Sequence, residues 1–427
     1  MAAEKREGES DNAKHKDPVA VIGAGIVGVS TAIWLLREGR RVVLIDRKGP
    51  GEGTSFGNGG VLASCSVVPV AVPGLIAKAP GMLLDPNQPL FLKWPYLPKL
   101  APWLVRYLSH ANKADVRRIS EALIGIVGES LAEHQALAGG TKAEKWIKPC
   151  DYLYVYRDRQ HFESDRFGWN LRASHGFQWN ELEGESFRAY DPLYSKDFGF
   201  AVCLENHGRI GDPGMYVKDL AAHAVARGAR ILNADVTGFI LRDGRVTGLR
   251  AGGETIACTD VVICAGAWSK PLAAKLGLNV PLESERGYHL ELWEPNVMPR
   301  SPAMVASGKF VITPMEGRLR LAGIVEFGGL DAEASRKPFE LLLRNMKAAI
   351  PGIDWKETSE WMGHRPAPAD SIPVIGPVPK AKGAWLGFGH HHIGLTGGPR
   401  TGRLLAQLIS GKSPNIDLAP YAPSRFE

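Results

Sequence analysis

What this 427-residue chain lacks narrows its reading first. No run of about 18 or more uninterrupted apolar residues occurs, so no segment is expected to cross a membrane as a helix. The five cysteines (Cys65, Cys150, Cys203, Cys258, Cys264) are odd in number and form no CxxC, which argues against a disulfide framework and a zinc site. Reduced thiols in a cytoplasmic setting are the expectation. No dense Lys/Arg run follows residue 50 and the net charge of +6 is mild for this length, so nucleic-acid binding is not expected. The surplus suits general solubility, and also an anionic substrate or membrane surface. No internal repeat is found, and residues 1–17 lack the apolar core of a secretory signal; they read as a disordered tail. What is present is ordinary globular composition, 44% hydrophobic and 22% charged, enough for a sizeable core. At about 150 residues each, two or three domains are expected.

Order begins at Pro18. VAVI (19–22) reads as a buried parallel strand, GAGIVG as a tight turn, STAIWLLREG as a helix closed by Gly39, and RVVLID (41–46) as a second buried strand. Residues 50–60, PGEGTSFGNGG, are too glycine-rich for a regular element. Residues 67–105 are apolar, aromatic and proline-dense, so no long helix is expected before about Trp103; 114–138 reads as helix. Short strands and turns are expected over 150–205, then a helix at 213–227, a hairpin across Asp243-Gly244 and a buried strand DVVICAG. Strands alternate over 286–330 with a hairpin at Glu316-Gly317, and 335–350 reads as helix. The segment 384–411 reads as strand, glycine-rich turn and a helix from near Thr401.

A bare GxGxxG says little, but Gly23-Ala24-Gly25-Ile26-Val27-Gly28 sits between a strand and a helix, and Asp46 ends the next strand. Gly23 permits the turn, Gly25 admits a pyrophosphate, and Gly28 lets helix and sheet pack. The helix N-terminus offers unpaired N–H groups and partial positive charge to phosphates, and Asp46 offers acceptors to a ribose. The bland alternative is a βαβ unit with no ligand. An NAD enzyme would continue at once with further βα units. This chain instead leaves for about 200 residues and returns at DVVICAGAWS and again at the C-terminal glycine turn. Such returns suit a long cofactor that spans two domains, FAD rather than NAD. In GHRPAPADSIPVIG (363–376) the prolines are expected to fix Arg365 in a loop, as a clamp for a carboxylate or as the partner of Asp370 or another acid. In GHHHIGLTGG (389–398) small residues admit a planar ring, and the following helix points its positive end at the reduced ring's charge. His390, His391 and His392 are adjacent in sequence and are not expected to share a metal.

Together these segments resemble the D-amino-acid oxidase superfamily of FAD enzymes, and within it the D-amino-acid dehydrogenase and glyphosate oxidoreductase branch. The resemblance is carried by VAVIGAGIVGVSTAIWLLREGRRVVLID, GEGTSFGNGG, DVVICAGAWS, ERGYH, ASGKFVITPME, WMGHRPAPADSIPVIG, FGHHHIGLTGGP and PYAPSRF. It implies an α/β chain with a Rossmann-type FAD-binding domain of the glutathione-reductase kind, and an α+β substrate domain on a mixed or antiparallel sheet. The expected ranges are 18–66, 205–280 and 360–427 for the first, and 67–204 and 281–359 for the second. Gly23, Gly25, Gly28 and Asp46 would take the ADP half of FAD, and Ser55, Gly57, Asn58, Gly59 and Gly60 the pyrophosphate and flavin. Val236 would touch adenine, and Ala265 and Gly266 would flank the cofactor. The cofactor set extends to Ala24, Ile26, Val27, Arg47, Trp268 and Gly389. Arg365 would hold the substrate carboxylate, while His390 and Ile393, Gly394, Leu395 and Thr396 would face flavin and substrate. Tyr288 and His289 are further pocket residues on the resemblance.

Three departures stand out. Asp46 replaces a common Glu, Asn58-Gly59-Gly60 a common Asn-Ala-Gly, and His391-His392 is unusual on the substrate side. No cysteine lies where sarcosine-oxidase relatives attach flavin, so FAD is expected to be non-covalent. The implied reaction moves hydride from Cα to flavin N5 and leaves an imine that water converts to a 2-oxo acid, with His390 or His289 assisting the amine proton. The alternatives are oxidation of N-substituted glycines such as sarcosine or glyphosate, an FAD-binding subunit of an opine- or proline-type dehydrogenase complex, and a flavin-free NAD module. The acceptor is oxygen or quinone. Residues Val67 to Tyr107 read either as peripheral contact with the inner face of a membrane or as core and homo- or hetero-oligomer surface.

Overall fold

The computed structural model describes residues 17–85 and 87–427. The expected tail, apart from Asp17, and Pro86 lie outside the described residues. Every residue of the Val19–Ile22 strand is buried, as its β-branched run requires of a strand covered on both faces. It pairs in parallel with Val42–Asp46 on one side and Asp260–Ile263 on the other. Arg230–Asn233 and Ala384–Phe388 extend the sheet in parallel, and Val374–Pro377 closes one edge antiparallel. The helix Ile26–Arg37 packs against this six-stranded sheet and is crossed by the helix Gly394–Ile409. The crossing is close: a Cβ on Gly402 would stand 2.6 Å from the backbone of Ser30 and Thr31.

A second, ten-stranded sheet is mixed. Ala303–Val305 runs parallel to Ile147–Tyr156, and Leu90–Leu92 parallel to Arg318–Phe327; its other pairs are antiparallel. Its two longest strands, Leu282–Trp293 and Glu357–Pro368, set Glu285 directly opposite Arg365. The helix Lys337–Ala349 buries its apolar face against this sheet. The third sheet has three strands, Val236–Arg242, Arg245–Ala251 and Glu254–Ala257. Its first hairpin turns at Asp243 and Gly244, both at positive φ, as a two-residue turn between twisted strands needs.

Several expectations are corrected. The proline-dense stretch forms two helices before and across Trp103, Leu75–Leu84 and Leu97–Ser109. Pro98 stands in the first turn, where a missing N–H costs nothing, although Pro102 lies inside. The 114–138 helix is two, Lys113–Val127 and Ser130–Ala138, separated at Gly128. Between the strands of 150–205 lie three short helices, Arg159–Glu163, Arg166–Ser174 and Glu185–Tyr190. The last helix starts at Gly394 rather than near Thr401. Arg365 lies on a strand, not in a loop. The expected limits at 204/205 and 359/360 fall inside the continuous strands Phe200–Ile210 and Glu357–Pro368.

Candidate active site

A cleft of about 570 Å³ opens at the carboxyl ends of the central parallel strands. Ile22 and Gly23, Ile45 and Asp46, Cys264 and Ala265, and Phe388 all line it from strand ends. Carboxyl ends of parallel strands are where α/β sheets bind ligands. The glycine turn is fixed by close approach. Gly23 has φ +103, and a Cβ there would lie 2.4 Å from the Cys264 carbonyl oxygen. A Cβ on Gly28 would lie 1.9 Å from the Gly23 oxygen, so Gly28 works behind the cleft, in the helix–strand contact. Gly25, Ile26 and Val27 line the cleft, whereas Ala24 is buried beneath it and donates its N–H to Asp46 Oδ2 at 2.8 Å. Asp46 Oδ1 accepts from the amides of Lys48 and Gly49, which orients the carboxylate at the strand end. Ser55 Oγ accepts from Ile26 N–H at 2.9 Å, so the Ser55 hydroxyl hydrogen is left to donate at the helix N-terminus.

Around this turn the cleft carries cations. The Arg47 guanidinium lies 4.2 Å from the centre of the Trp268 ring, and both side chains line the cleft with Lys48 and Lys275. Val236, Ala265 and Gly266 line it as well. Close backbone approach, free helix-terminal donors, an acidic strand end and cations fit a dinucleotide pyrophosphate and ribose.

The 56–60 loop is held from the second sheet. Arg320 donates to the carbonyl oxygens of Phe56 (2.8 Å) and Asn58 (2.6 Å) and is paired with buried Glu291, which also binds Arg318. Asn58 lines the cleft and caps the amide of Gly60; Gly57, Gly59 and Gly60 lie behind it. Gly57 is packed under the Trp361 indole, where a Cβ would come within 1.8 Å of the ring. Trp361 lines the cleft and stacks on His289, with ring centres 5.1 Å apart.

On the far side, His390, Gly394 and Leu395 line the cleft, while Gly389, Ile393 and Thr396 support that turn from below. His390 Nε2 lies 2.8 Å from Thr401 Oγ1, whose hydroxyl donates to Gly397 O. The Nε2 nitrogen therefore carries hydrogen and Nδ1 is the acceptor. Burial pushes the His390 imidazole down to about 4. The helix that starts here contains Pro399, and the carbonyl of Leu395 is bonded instead by His134 Nε2 at 2.9 Å.

Arg365 is not itself among the cleft-lining residues; it stands between His364 and Pro366, which line the cleft, and close to this turn, since His391 N–H bonds Pro366 O. Nη1 donates to Glu285 Oε1 at 2.7 Å and more weakly to Ile324 O, and among the described residues Nη2 has no hydrogen-bond partner. Its acid is thus Glu285; Asp370 binds Arg425. Glu285 also bonds His391 Nε2. Burial alone would raise the Glu285 carboxyl, but His391 and then Arg365 hold it well below the usual carboxylate range.

Tyr288 and His289 are not brought into the cleft. Successive strand residues face opposite sides. Tyr288 points into the second core against Phe339 and donates to Glu326 Oε2 at 2.6 Å. His289 lies behind the loop, with Nδ1 3.1 Å from Gly57 O, and burial, followed by the charge of Arg320, pushes it down to about 3. The sequence reading missed Glu285, Trp361, Arg320 and His134. Glu285 and Trp361 sat inside the ERGYH and WMGHRP segments already singled out, so position alone could have flagged them.

A parallel sheet with a glycine-turn cleft, set beside a large mixed sheet, is the architecture of an FAD-binding oxidoreductase. The chain belongs to the FAD dependent oxidoreductase (DAO) family, which matches residues 18–408. It is 41% identical over 415 residues to a D-amino-acid oxidase of Bradyrhizobium diazoefficiens, covering 96% of this chain and 98% of that one. It is 32% identical over 429 residues to D-amino acid dehydrogenase 2 of Ralstonia nicotianae, covering 95% and 100%. Glycine oxidase from Geobacillus kaustophilus shares the fold with a TM-score of 0.73 over 95% of this chain and 98% of that one, at 21% identity.

Proposed function

We propose that the protein oxidises a D-amino acid, or a small amine bearing a carboxylate, to an imine that water converts to a 2-oxo acid. The observation that carries this reading is Arg365, whose Nη1 is held by Glu285 and whose Nη2 has no hydrogen-bond partner among the described residues, on a strand whose His364 and Pro366 line the cleft. FAD, when bound, would supply a two-electron acceptor for the hydride of the substrate Cα. The chain's residues do the rest. The glycine turn, Asp46, Ser55 and Asn58 hold the cofactor, with Arg47 and Trp268 beside Val236, Ala265 and Gly266. Arg365 orients the substrate by its carboxylate. His390, neutral at pH 7 because its imidazole is pushed down to about 4, accepts a hydrogen bond from the amine rather than storing its proton. A histidine held this low cannot take the ammonium proton, so that proton leaves to solvent before hydride leaves Cα.

Residues 18–66, 205–280 and 360–427 form the cofactor side in this reading, and 67–204 and 281–359 the substrate side. Two strands run across the limits between them. Among the described residues no helix is long and apolar enough to cross a membrane. Exposed Ile76, Trp94 and Val105 within the Val67–Tyr107 stretch support peripheral contact with a membrane. Flotation with anionic lipid vesicles tests that contact, and a protein that stays at the bottom of the gradient removes it.

The test of the main reading is steady-state turnover of D- and L-amino acids, sarcosine and glyphosate with an artificial acceptor. Substitution Arg365→Met should raise KM for the preferred substrate by roughly a hundredfold, because the carboxylate loses its charged partner. An unchanged KM removes Arg365 from substrate binding.

A further inference from the structure

Glu285 is a buried carboxylate set against the proposed carboxylate clamp. Its place is built by both long strands. Glu285 and Arg365 are register partners, and a Cβ on Gly287 would stand 2.7 Å from Arg365 Cζ, so only glycine there lets the guanidinium lie across the strand. Both carboxylate oxygens are engaged, Oε1 with Arg365 Nη1 and Oε2 with His391 Nε2. From the Leu97–Ser109 helix, Tyr107 completes the surround, its ring stacked on Trp103 at 4.7 Å. Burial and then the charge of Glu285 push the Tyr107 hydroxyl up, so it stands there uncharged. Arg286, the neighbour in sequence, faces the opposite side and pairs with Glu326.

From this arrangement we infer that Glu285 is the specificity-determining residue of the site, admitting one carboxylate on the free edge of Arg365 and rejecting a second. The inference rests on the proposed role of Arg365. One edge of the guanidinium is already neutralised. A monocarboxylate docks on the other edge, whereas the second carboxylate of a dianionic ligand meets the Glu285 charge in a site of low dielectric. Neutral and cationic side chains carry no such penalty.

The test uses the FAD-bound protein and calorimetric titration with acetate and with malonate, a readout that needs no turnover. In the wild type acetate binds more tightly than malonate, and Arg365→Met abolishes acetate binding. In Glu285→Gln the affinity of malonate relative to acetate should rise about tenfold or more, a charge effect of the size expected for a close desolvated pair. The kcat/KM ratio of D-aspartate to D-alanine should move the same way. Glu285→Asp keeps the charge and should keep the wild-type ratio. A ratio unchanged in Glu285→Gln, or raised equally in Glu285→Asp, overturns the inference. Loss of acetate binding by the wild type itself would instead refute the clamp on which it rests.

Discussion

His134 stands in for the backbone amide that Pro399 lacks. Four residues before Pro399, the Leu395 carbonyl would otherwise be left unpaired inside the protein; His134 Nε2 donates to it at 2.9 Å. Tyr216 OH lies 2.8 Å from the other ring nitrogen, and both side chains are fully buried. Ser130 Oγ donates to the next carbonyl, Thr396 O. A helix whose first turn lines the cleft is thus braced by residues 261 and 266 positions away in sequence.

Replacing His134 by alanine should therefore cost about 1–3 kcal/mol, the penalty of a buried acceptor left unsatisfied. Urea unfolding of the FAD-bound protein measures it. Adding Pro399→Ala returns an amide to Leu395 and should recover part of the loss. A double variant no more stable than His134→Ala would remove the link between the two residues.

Acid should destabilise the fold before it titrates the carboxylates. Burial holds His134 and His390 down to about 4, and burial together with Arg320 holds His289 down to about 3, against 6.5 for a free imidazole. Above pH 6.5 these rings are neutral in both states. As pH falls from 6.5 toward 4 the unfolded chain takes up protons that the folded one refuses, and stability drops by up to about 1.4 kcal/mol per pH unit for each ring. Glu285 and Glu291, held low by their cationic partners, lose their contribution only at more acid pH. Urea midpoints between pH 7.5 and 4.5 test this; a flat profile contradicts it.

Gly57→Ala places a methyl group where the Trp361 ring stands, and overpacking of this kind costs roughly 1–3 kcal/mol. The ring or the 56–60 loop must shift, so FAD retention after gel filtration should fall. Trp361→Leu in the same chain should restore part of it. Retention equal to wild type in Gly57→Ala alone would show that the loop does not contact the cofactor.

Arg320→Met removes a guanidinium that binds Glu291 and two loop carbonyls together. Breaking a buried pair from one side costs about 3–5 kcal/mol. Arg318 also holds Glu291, so the lower part of that range is expected. Thermal unfolding gives the stability loss, and a flavin content that falls with it marks the loop as the affected part.

How much of this was legible beforehand depended on chain distance. The turn at Gly23 to Gly28 and Asp46 could be read because strand, turn, helix and strand are contiguous and their hydrophobic runs are unambiguous. Arg365 could be singled out as a guanidinium just ahead of Pro366 and Pro368, but not its strand, since prolines at a strand end look like a loop. Its pairing with Glu285 joins residues 80 apart and follows from strand register, which composition does not report. Tyr288 was assigned to the pocket because the motif around it was right, while alternation along the strand turned it to the other face. The proline-dense segment hid the Leu97–Ser109 helix because proline in a first turn leaves a helix intact.

The most direct measurement is the visible spectrum of the purified protein, recorded without oxygen before and after addition of D-amino acids. The expected result is an oxidised-flavin spectrum that bleaches with at least one D-amino acid and not with its L-enantiomer. A flavin spectrum that no amine or amino acid bleaches would contradict the proposed reaction, and a colourless protein unable to take up added FAD would contradict the cleft's assignment as well.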